Sequence, residues 1–254
     1  MGTYMGKRGD DILRGSKRDD FIYGREGNDT AYGGGGNDSI YGGIGNDRLY
    51  GEDGEDQLYG EAGDDFLAGG AGNDGIDGGD GSDTLSGGDG DDVLGGFAGN
   101  DILDGGAGHD TLIGGSGLDR LTGGADDDWF RFLNQADSAG AGDAIMDFQP
   151  GVDRLFGGSY DYEWDANASV DGLQKWEYVG SDPVAALANG NGQATVTYVD
   201  GWTVLRLFNN DGDDQADFIL TFQGTYQPEQ LQISIFEAVV GNTSVYTEGI
   251  IFGG

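Results

Sequence analysis

The chain has 254 residues with 54 glycines, 3 prolines and no cysteine, against a usual glycine share of ~7%. Disulfides and thiolate metal sites are excluded, and the single histidine, His109, leaves zinc hydrolase or His-based triad chemistry almost nothing to work with. Twelve basic and 47 acidic residues give a net charge of −35, which repels nucleic acid and anionic membranes. No apolar run reaches the ~18 residues of a membrane span, and residues 1–11 lack the apolar core of a cleaved leader.

From Gly6 to Arg131 the chain divides into fourteen uninterrupted nonapeptides, such as GGIGNDRLY (42–50), GGAGNDGID (69–77) and GGDGSDTLS (78–86). The first position is glycine in all fourteen. The sixth is always aspartate: Asp11, Asp20, Asp29, Asp38, Asp47, Asp56, Asp65, Asp74, Asp83, Asp92, Asp101, Asp110, Asp119 and Asp128. The fourth is glycine in twelve, the exceptions being Arg18 and Asp126, and the eighth is Leu, Ile or Phe in thirteen, Ala31 being the outlier. Each unit reads as a glycine-permitted turn followed by a three-residue strand over positions seven to nine. Position eight points inward, and only stacked units can bury it. Columns of aspartate oppose that stacking by like-charge repulsion. A hard divalent cation with oxygen ligands answers both problems, and calcium suits flexible carbonyl-plus-carboxylate loops better than magnesium.

The pattern GGxGxDxUx resembles the RTX, haemolysin-type calcium-binding repeat. The resemblance implies an all-β chain: a parallel β-roll with two nonapeptides per turn, about seven turns, and then a β-rich cap. It also implies that each calcium lies between repeat n and repeat n+2. The earlier loop would give its second and fourth carbonyls and its Asp; the later loop would give its first and third carbonyls and its Asp. One central site is then Gly43, Gly45 and Asp47 with Gly60, Ala62 and Asp65, and the next is Glu52, Gly54 and Asp56 with Gly69, Ala71 and Asp74. Across the roll the first-position donors are Gly24, Gly33, Gly42, Gly51, Gly60, Gly69, Gly78, Gly87, Gly96, Gly105, Gly114 and Gly123. Second-position donors are Gly34, Gly43, Glu52, Gly70, Gly79, Gly88 and Gly106. Those of the third position are Gly35, Ile44, Ala62, Ala71, Asp80, Asp89, Ala98, Ala107, Ser116 and Ala125. The fourth position contributes Gly9, Gly27, Gly36, Gly45, Gly54, Gly63, Gly72, Gly81, Gly90, Gly99 and Gly108. Pairing fourteen repeats in this way allows up to about twelve ions.

The first two repeats carry Lys7, Arg8, Arg14, Lys17 and Arg18. These either cap the first turn by neutralising it or are surface variation. Position nine is tyrosine in five consecutive units, Tyr23, Tyr32, Tyr41, Tyr50 and Tyr59. Two stacked columns on opposite faces follow, serving either as cross-strand support or as a platform for sugar rings. His109 falls at the variable fifth position, which gives it no catalytic setting. An Asp in every glycine-rich loop argues against phosphate binding there.

After Arg131 the period stops. QATVTYV (193–199), Asp200-Gly201 and WTVLRLF (202–208) read as a β-hairpin, with further strands at DFILTF (217–222) and QLQISIF (230–236). A β-sandwich or an antiparallel continuation of the roll fits these strands. Trp164, Trp176 and Trp202 read as core residues. WFRF (129–132) followed by DAIMDFQPGVDRL (143–155) is similar to the segment that follows the repeats in serralysin-type proteases and mannuronan C5-epimerase R-modules, where it caps the roll. NNDGDDQADFILTFQG (209–224) is like the acidic hairpin of those families, and Asp211, Asp213, Asp214 and Asp217 are candidates for one more calcium. The division is a calcium-binding roll over 1–131 and a β-rich cap over 132–254. The resemblance adds export by type I secretion machinery through a signal near the C-terminus.

No H-E-x-x-H occurs, so the protease chemistry of that family is absent. The reading is a secreted, noncatalytic, calcium-folding RTX protein that supports secretion and folding, with polysaccharide or surface attachment as a further task. The alternatives are a noncatalytic module of a larger secreted epimerase, protease or lipase, and a free-standing host-interaction effector.

Overall fold

The computed structural model describes residues 1–132, 143–149, 152–157, 177–178, 193–199, 202–208 and 218–223. Two short strands, β1 (Thr3–Met5) and β2 (Ile12–Arg14), open the chain. Twelve six-residue strands follow: β3 (Phe21–Glu26), β4 (Thr30–Gly35), β5 (Ser39–Ile44), β6 (Arg48–Asp53), β7 (Gln57–Ala62), β8 (Phe66–Ala71), β9 (Gly75–Asp80), β10 (Thr84–Asp89), β11 (Val93–Ala98), β12 (Ile102–Ala107), β13 (Thr111–Ser116) and β14 (Arg120–Ala125). Then come β15 (Trp129–Phe132), β16 (Asp143–Ile145), β17 (Arg154–Gly157), β18 (Glu177–Tyr178), β19 (Gln193–Val199), β20 (Trp202–Phe208) and β21 (Phe218–Gln223). The odd strands β1 to β17 form one sheet and the even strands β2 to β16 another, each strand pairing in parallel with the one two places on. The chain thus winds as a parallel β-roll of about seven turns with two repeats per turn.

Each strand is six residues long, not three, because it runs on through positions one to three of the next repeat. The pairing register matches positions seven, eight and nine, skips the first-position glycine and resumes at positions two and three, as in Thr84↔Ile102 through Ser86↔Asp104 and then Gly88↔Gly106. The glycine is therefore a kink between two short ladders. Backbone hydrogen bonds also reach into the turn. Gly45 N–H donates to the Ala62 carbonyl and Phe66 N–H to the Asp47 carbonyl, at 2.8 and 2.9 Å. Pairing with the turns above and below thus satisfies donors that a lone turn would leave exposed.

Between the sheets lies a single file of eighth-position side chains, Ile22, Ala31, Ile40, Leu49, Leu58, Leu67, Ile76, Leu85, Leu94, Leu103, Leu112, Leu121 and Phe130, all buried. Ala31 is enclosed as fully as the leucines.

The roll extends beyond the sequence period at both ends. Strand β1 pairs with β3, Tyr4 opposite Ile22, so the winding starts half a turn before the first repeat. At the other end Ile145 sits opposite Leu121 and Leu155 opposite Phe130, adding two rungs. Their aspartates, Asp143 and Asp153, follow their partners by 24 and 25 residues instead of 18, and this insertion hides them from a nonapeptide count. Phe148 packs on Phe130 with ring centroids 6.2 Å apart. Strand β21 then joins β16 in parallel, and β20 and β19 continue the even sheet antiparallel. Of the two expected arrangements, the described strands form the continuation. The hairpin is present with Val199 opposite Trp202, whereas QLQISIF (230–236), Trp164 and Trp176 lie outside the described residues.

Leu85 touches the file from the middle of the roll, where collapse around a deletion is limited on both sides. Leu85→Ala is expected to destabilise the calcium-saturated fold by about 2–5 kcal/mol, read from urea unfolding.

Candidate metal centres between the turns

The sixth-position aspartates from Asp20 on, although charged, are buried almost as completely as the leucines; Asp56 and Asp110 are 0% exposed and Asp47 1%. One carboxylate oxygen of each has a defined task. From Asp29 to Asp128, Oδ1 accepts the backbone N–H of the aspartate one turn earlier, as in Asp47 N–H to Asp65 Oδ1 and Asp56 N–H to Asp74 Oδ1, both 2.7 Å. In Asp11 and Asp20 the other oxygen accepts the N–H groups of Lys7 and Ser16, whereas in most of the rest it has no such task. In Asp29, Asp38, Asp47, Asp56, Asp65, Asp74, Asp83, Asp92, Asp101, Asp110 and Asp128, Oδ2 is buried without a hydrogen-bond partner.

The surroundings of that orphan oxygen explain the first-position glycine. A Cβ on Gly42 would fall against Asp47 Oδ2 and the Gly60 carbonyl oxygen; one on Gly51 would meet Asp56 Oδ2 and the Gly69 carbonyl oxygen. The carboxylate of repeat n and the first carbonyl of repeat n+2 thus converge on one point, and side chains are excluded because they would fill it. Second-position and fourth-position carbonyls aim the opposite way, up the roll. A Cβ on Gly43 would collide with the Arg25 carbonyl oxygen, and one on Gly45 with that of Gly27. Both positions have positive φ, which favours glycine. Arg25, Glu52, Glu61 and Phe97 adopt it at the second position, Asp126 alone at the fourth.

Among the candidate donors, Gly43, Gly45, Asp47 and Gly60 therefore face the same gap between turns. The Ala62 carbonyl also faces the earlier turn, accepting the Gly45 N–H with one of its two lone pairs. Asp65 spans two gaps, with Oδ1 on the Asp47 N–H and Oδ2 beside the Gly78 carbonyl. Among the described residues no three His, Cys, Asp or Glu side chains converge on one point. A cation here would be held mainly by carbonyl oxygens with carboxylate help, the donor set of a hard ion such as calcium. The residues fit that ion: an orphaned carboxylate oxygen, converging carbonyls and a space kept free of Cβ atoms. Asp211, Asp213, Asp214 and Asp217 lie outside the described residues.

Electrostatics points the same way. Burial foremost, with nearby carboxylates adding, pushes the carboxyls of Asp38, Asp47, Asp56, Asp74 and Asp110 up to about 6 and those of Asp65, Asp92, Asp101 and Asp128 to about 7, against the N–H bond that lowers each. At the first turn Asp20 differs. Burial raises it, but hydrogen bonds from the Ser16 hydroxyl and the Gly2 and Ser16 N–H groups outweigh that and hold it below its ordinary value. The basic residues there are dispersed: Arg8 pairs with Glu26 at 3.4 Å and Arg14 lies 4.2 Å over the Tyr32 ring.

Position five, read from sequence as variable, forms a second ladder outside the first. Asn46 N–H donates to Asn28 Oδ1 and Asp91 N–H to Asn73 Oδ1, at 2.8 and 3.0 Å. His109 belongs to it, its N–H on Asp91 Oδ1 and its ring 2.6 Å from Asp127. The frequency of Asn and Asp at this position was the available signal. The tyrosines stack as expected, Tyr23–Tyr41–Tyr59 at 5.0 and 4.8 Å on one face and Tyr32–Tyr50 at 5.0 Å on the other.

The sequence profile of the RTX calcium-binding nonapeptide repeat matches four times, at residues 5–40, 41–76, 77–112 and 105–139, together more than half of the chain. The chain belongs to this family. Solved structures to which it is similar include two subunits of the Azotobacter vinelandii mannuronan C5-epimerase. AlgE6R3 is 28% identical over 65% of this chain and 72% of its own, with a TM-score of 0.32. AlgE6R2 is 28% identical over 71% and 81%, with a TM-score of 0.27. The extracellular lipase LipA of Serratia marcescens matches at 16% identity over 90% of this chain and 38% of its own, with a TM-score of 0.19. No curated protein matches. Calcium is thus the ion this RTX repeat region binds.

Two outcomes follow from the geometry. Gly42→Ala places a methyl group in the ion gap and is expected to raise the calcium concentration needed for folding several-fold. Gly35→Ala, where the nearest atom lies 3.7 Å away, should change it little; circular dichroism during calcium titration reads both. The second concerns pH. In chelator the folded carboxyl values of about 6 to 7 exceed the ordinary 3.8, so the roll binds more protons than the open chain. Calcium-free protein should therefore gain β-structure as the pH falls from about 7 toward 4, and lose it as the pH rises through 6 to 7. Calcium affinity should fall over the same acidification, because protons compete for Oδ2.

Proposed function

We propose that the chain is a calcium-folding module of an exported protein, without catalysis of its own. The observation carrying this reading is the file of partnerless, buried Oδ2 atoms beside carbonyl oxygens of the next turn. An uncompensated buried carboxylate is costly, and a column of them more so. Bound calcium would supply the neutralising charge and tie adjacent turns together. The donors of each gap are, in this scheme, the second and fourth carbonyls and Asp of one repeat with the first and third carbonyls and Asp of the repeat one turn on. Up to about twelve ions would be held in the fourteen repeats.

The ordered roll alone offers the convergent donors, so binding free energy becomes folding free energy. With extracellular-type affinities of ~10⁻⁴–10⁻³ M, the chain stays open at cytoplasmic calcium, spread by its net charge of −35, and winds up outside the cell. That ordering suits passage through type I secretion machinery, because a chain that folds on exit cannot slide back. Asp65→Ala removes a carboxylate that spans two gaps. Its calcium midpoint, followed by circular dichroism, should rise several-fold with lower cooperativity; an unchanged midpoint contradicts the bridging scheme.

Attachment to extracellular polysaccharide is a second task within the same reading, supported by the regular tyrosine columns at sugar-ring scale. Retention of the purified chain on microbial polysaccharides, alginate included, in calcium but not in chelator is the expected result. No retention in either condition removes attachment and leaves the folding role.

A further inference from the structure

On the outer face of the odd-numbered sheet the Tyr23–Tyr41–Tyr59 stack ends abruptly. The next residues in the same column are Asp77, Gly95 and Ile113. Loss of side-chain bulk at Gly95, and at Gly75 in the neighbouring column, sinks a groove of about 800 Å³ into the sheet. Tyr59 closes one end, Val93 and Ile113 form apolar walls, and Phe97 leans over Gly95. Phe97 holds a φ of 71° between two glycines, Gly79 and Gly115, and is 55% exposed as a residue. An aromatic ring is thus displayed at a backbone position where glycine is the easier choice.

Asp77 sits half-buried in this groove. Among the described residues its side chain has neither a hydrogen bond nor an ion pair. The Glu61 carboxylate repels it. Sugar hydroxyls could donate hydrogen bonds to Asp77, but they would leave its repulsion by Glu61 in place. A cation relieves both and also finds aromatic faces on Tyr59 and Phe97. Even with up to about twelve calcium ions bound the chain keeps a net negative charge, which draws cationic partners. The geometry points to this groove as a docking site for a basic segment of a partner protein, with an arginine or lysine head placed between Asp77 and the rings of Tyr59 and Phe97.

The test uses the full chain in excess calcium at 0.15 M salt, where general attraction is screened beyond ~8 Å. Folding of every variant is checked by circular dichroism. The probes are a capped tri-arginine peptide and the neutral glycan cellohexaose, followed by calorimetry. Asp77→Asn and Phe97→Gly, the latter restoring the commoner residue, should each weaken tri-arginine binding at least tenfold. Asp104→Asn, which removes one charge from the opposite sheet, should change it less than twofold. The proposal is overturned by absence of tri-arginine binding, by equal losses in all three variants, by an unaffected Asp77→Asn, or by cellohexaose binding that Phe97→Gly abolishes.

Discussion

The structure depends on one carboxylate oxygen per repeat. From the third repeat on, Oδ1 of the sixth-position aspartate is fixed to the previous turn by a backbone N–H, while Oδ2 lies in a closed gap with carbonyl oxygens. Everything else in the repeat accommodates that arrangement. The first-position glycine keeps a Cβ out of the gap, and the second and fourth positions turn their carbonyls up the roll through positive φ. The eighth-position side chains fill the space between the two sheets as one buried file. With a single file of apolar residues as its core, the roll has little hydrophobic burial per residue, and the ionic layer becomes part of the fold itself.

Much of this was legible in the sequence, for a physical reason. A solenoid repeats the same local problem at every turn, so each steric or electrostatic demand is written fourteen times. The invariant Asp and Gly gave the period, and the eighth-position residues gave the core file. What the residues did not spell out was why each glycine is needed. First-position glycines answer to the neighbouring carboxylate, not to backbone dihedrals, and only a three-dimensional arrangement separates the two causes. The strands are longer than expected because hydrogen bonding to adjacent turns continues past the glycine kink.

Features with an altered spacing were hidden. The rungs at Asp143 and Asp153 perform the same hydrogen bonding as their counterparts in the repeats, but inserted residues break the count of nine. Position five escaped for the opposite reason. Asn, Asp, Ser and His all occur there, and all can accept a backbone N–H through a short side chain, so chemical equivalence looks like variability. The outer faces carry no such repetition after Tyr59. Single departures such as Gly75, Gly95 and Phe97 shape the groove one residue at a time.

The buried carboxylate layer requires calcium for the roll to exist at neutral pH. The most direct measurement counts bound calcium per chain by native mass spectrometry while circular dichroism follows β-structure, first in chelator and then across a calcium titration. The expected result is an open chain with no bound ions in chelator, and a folded chain that carries several ions acquired over the same calcium range as the β-signal. A fully formed roll at pH 7 in chelator, with no ion bound, would contradict it.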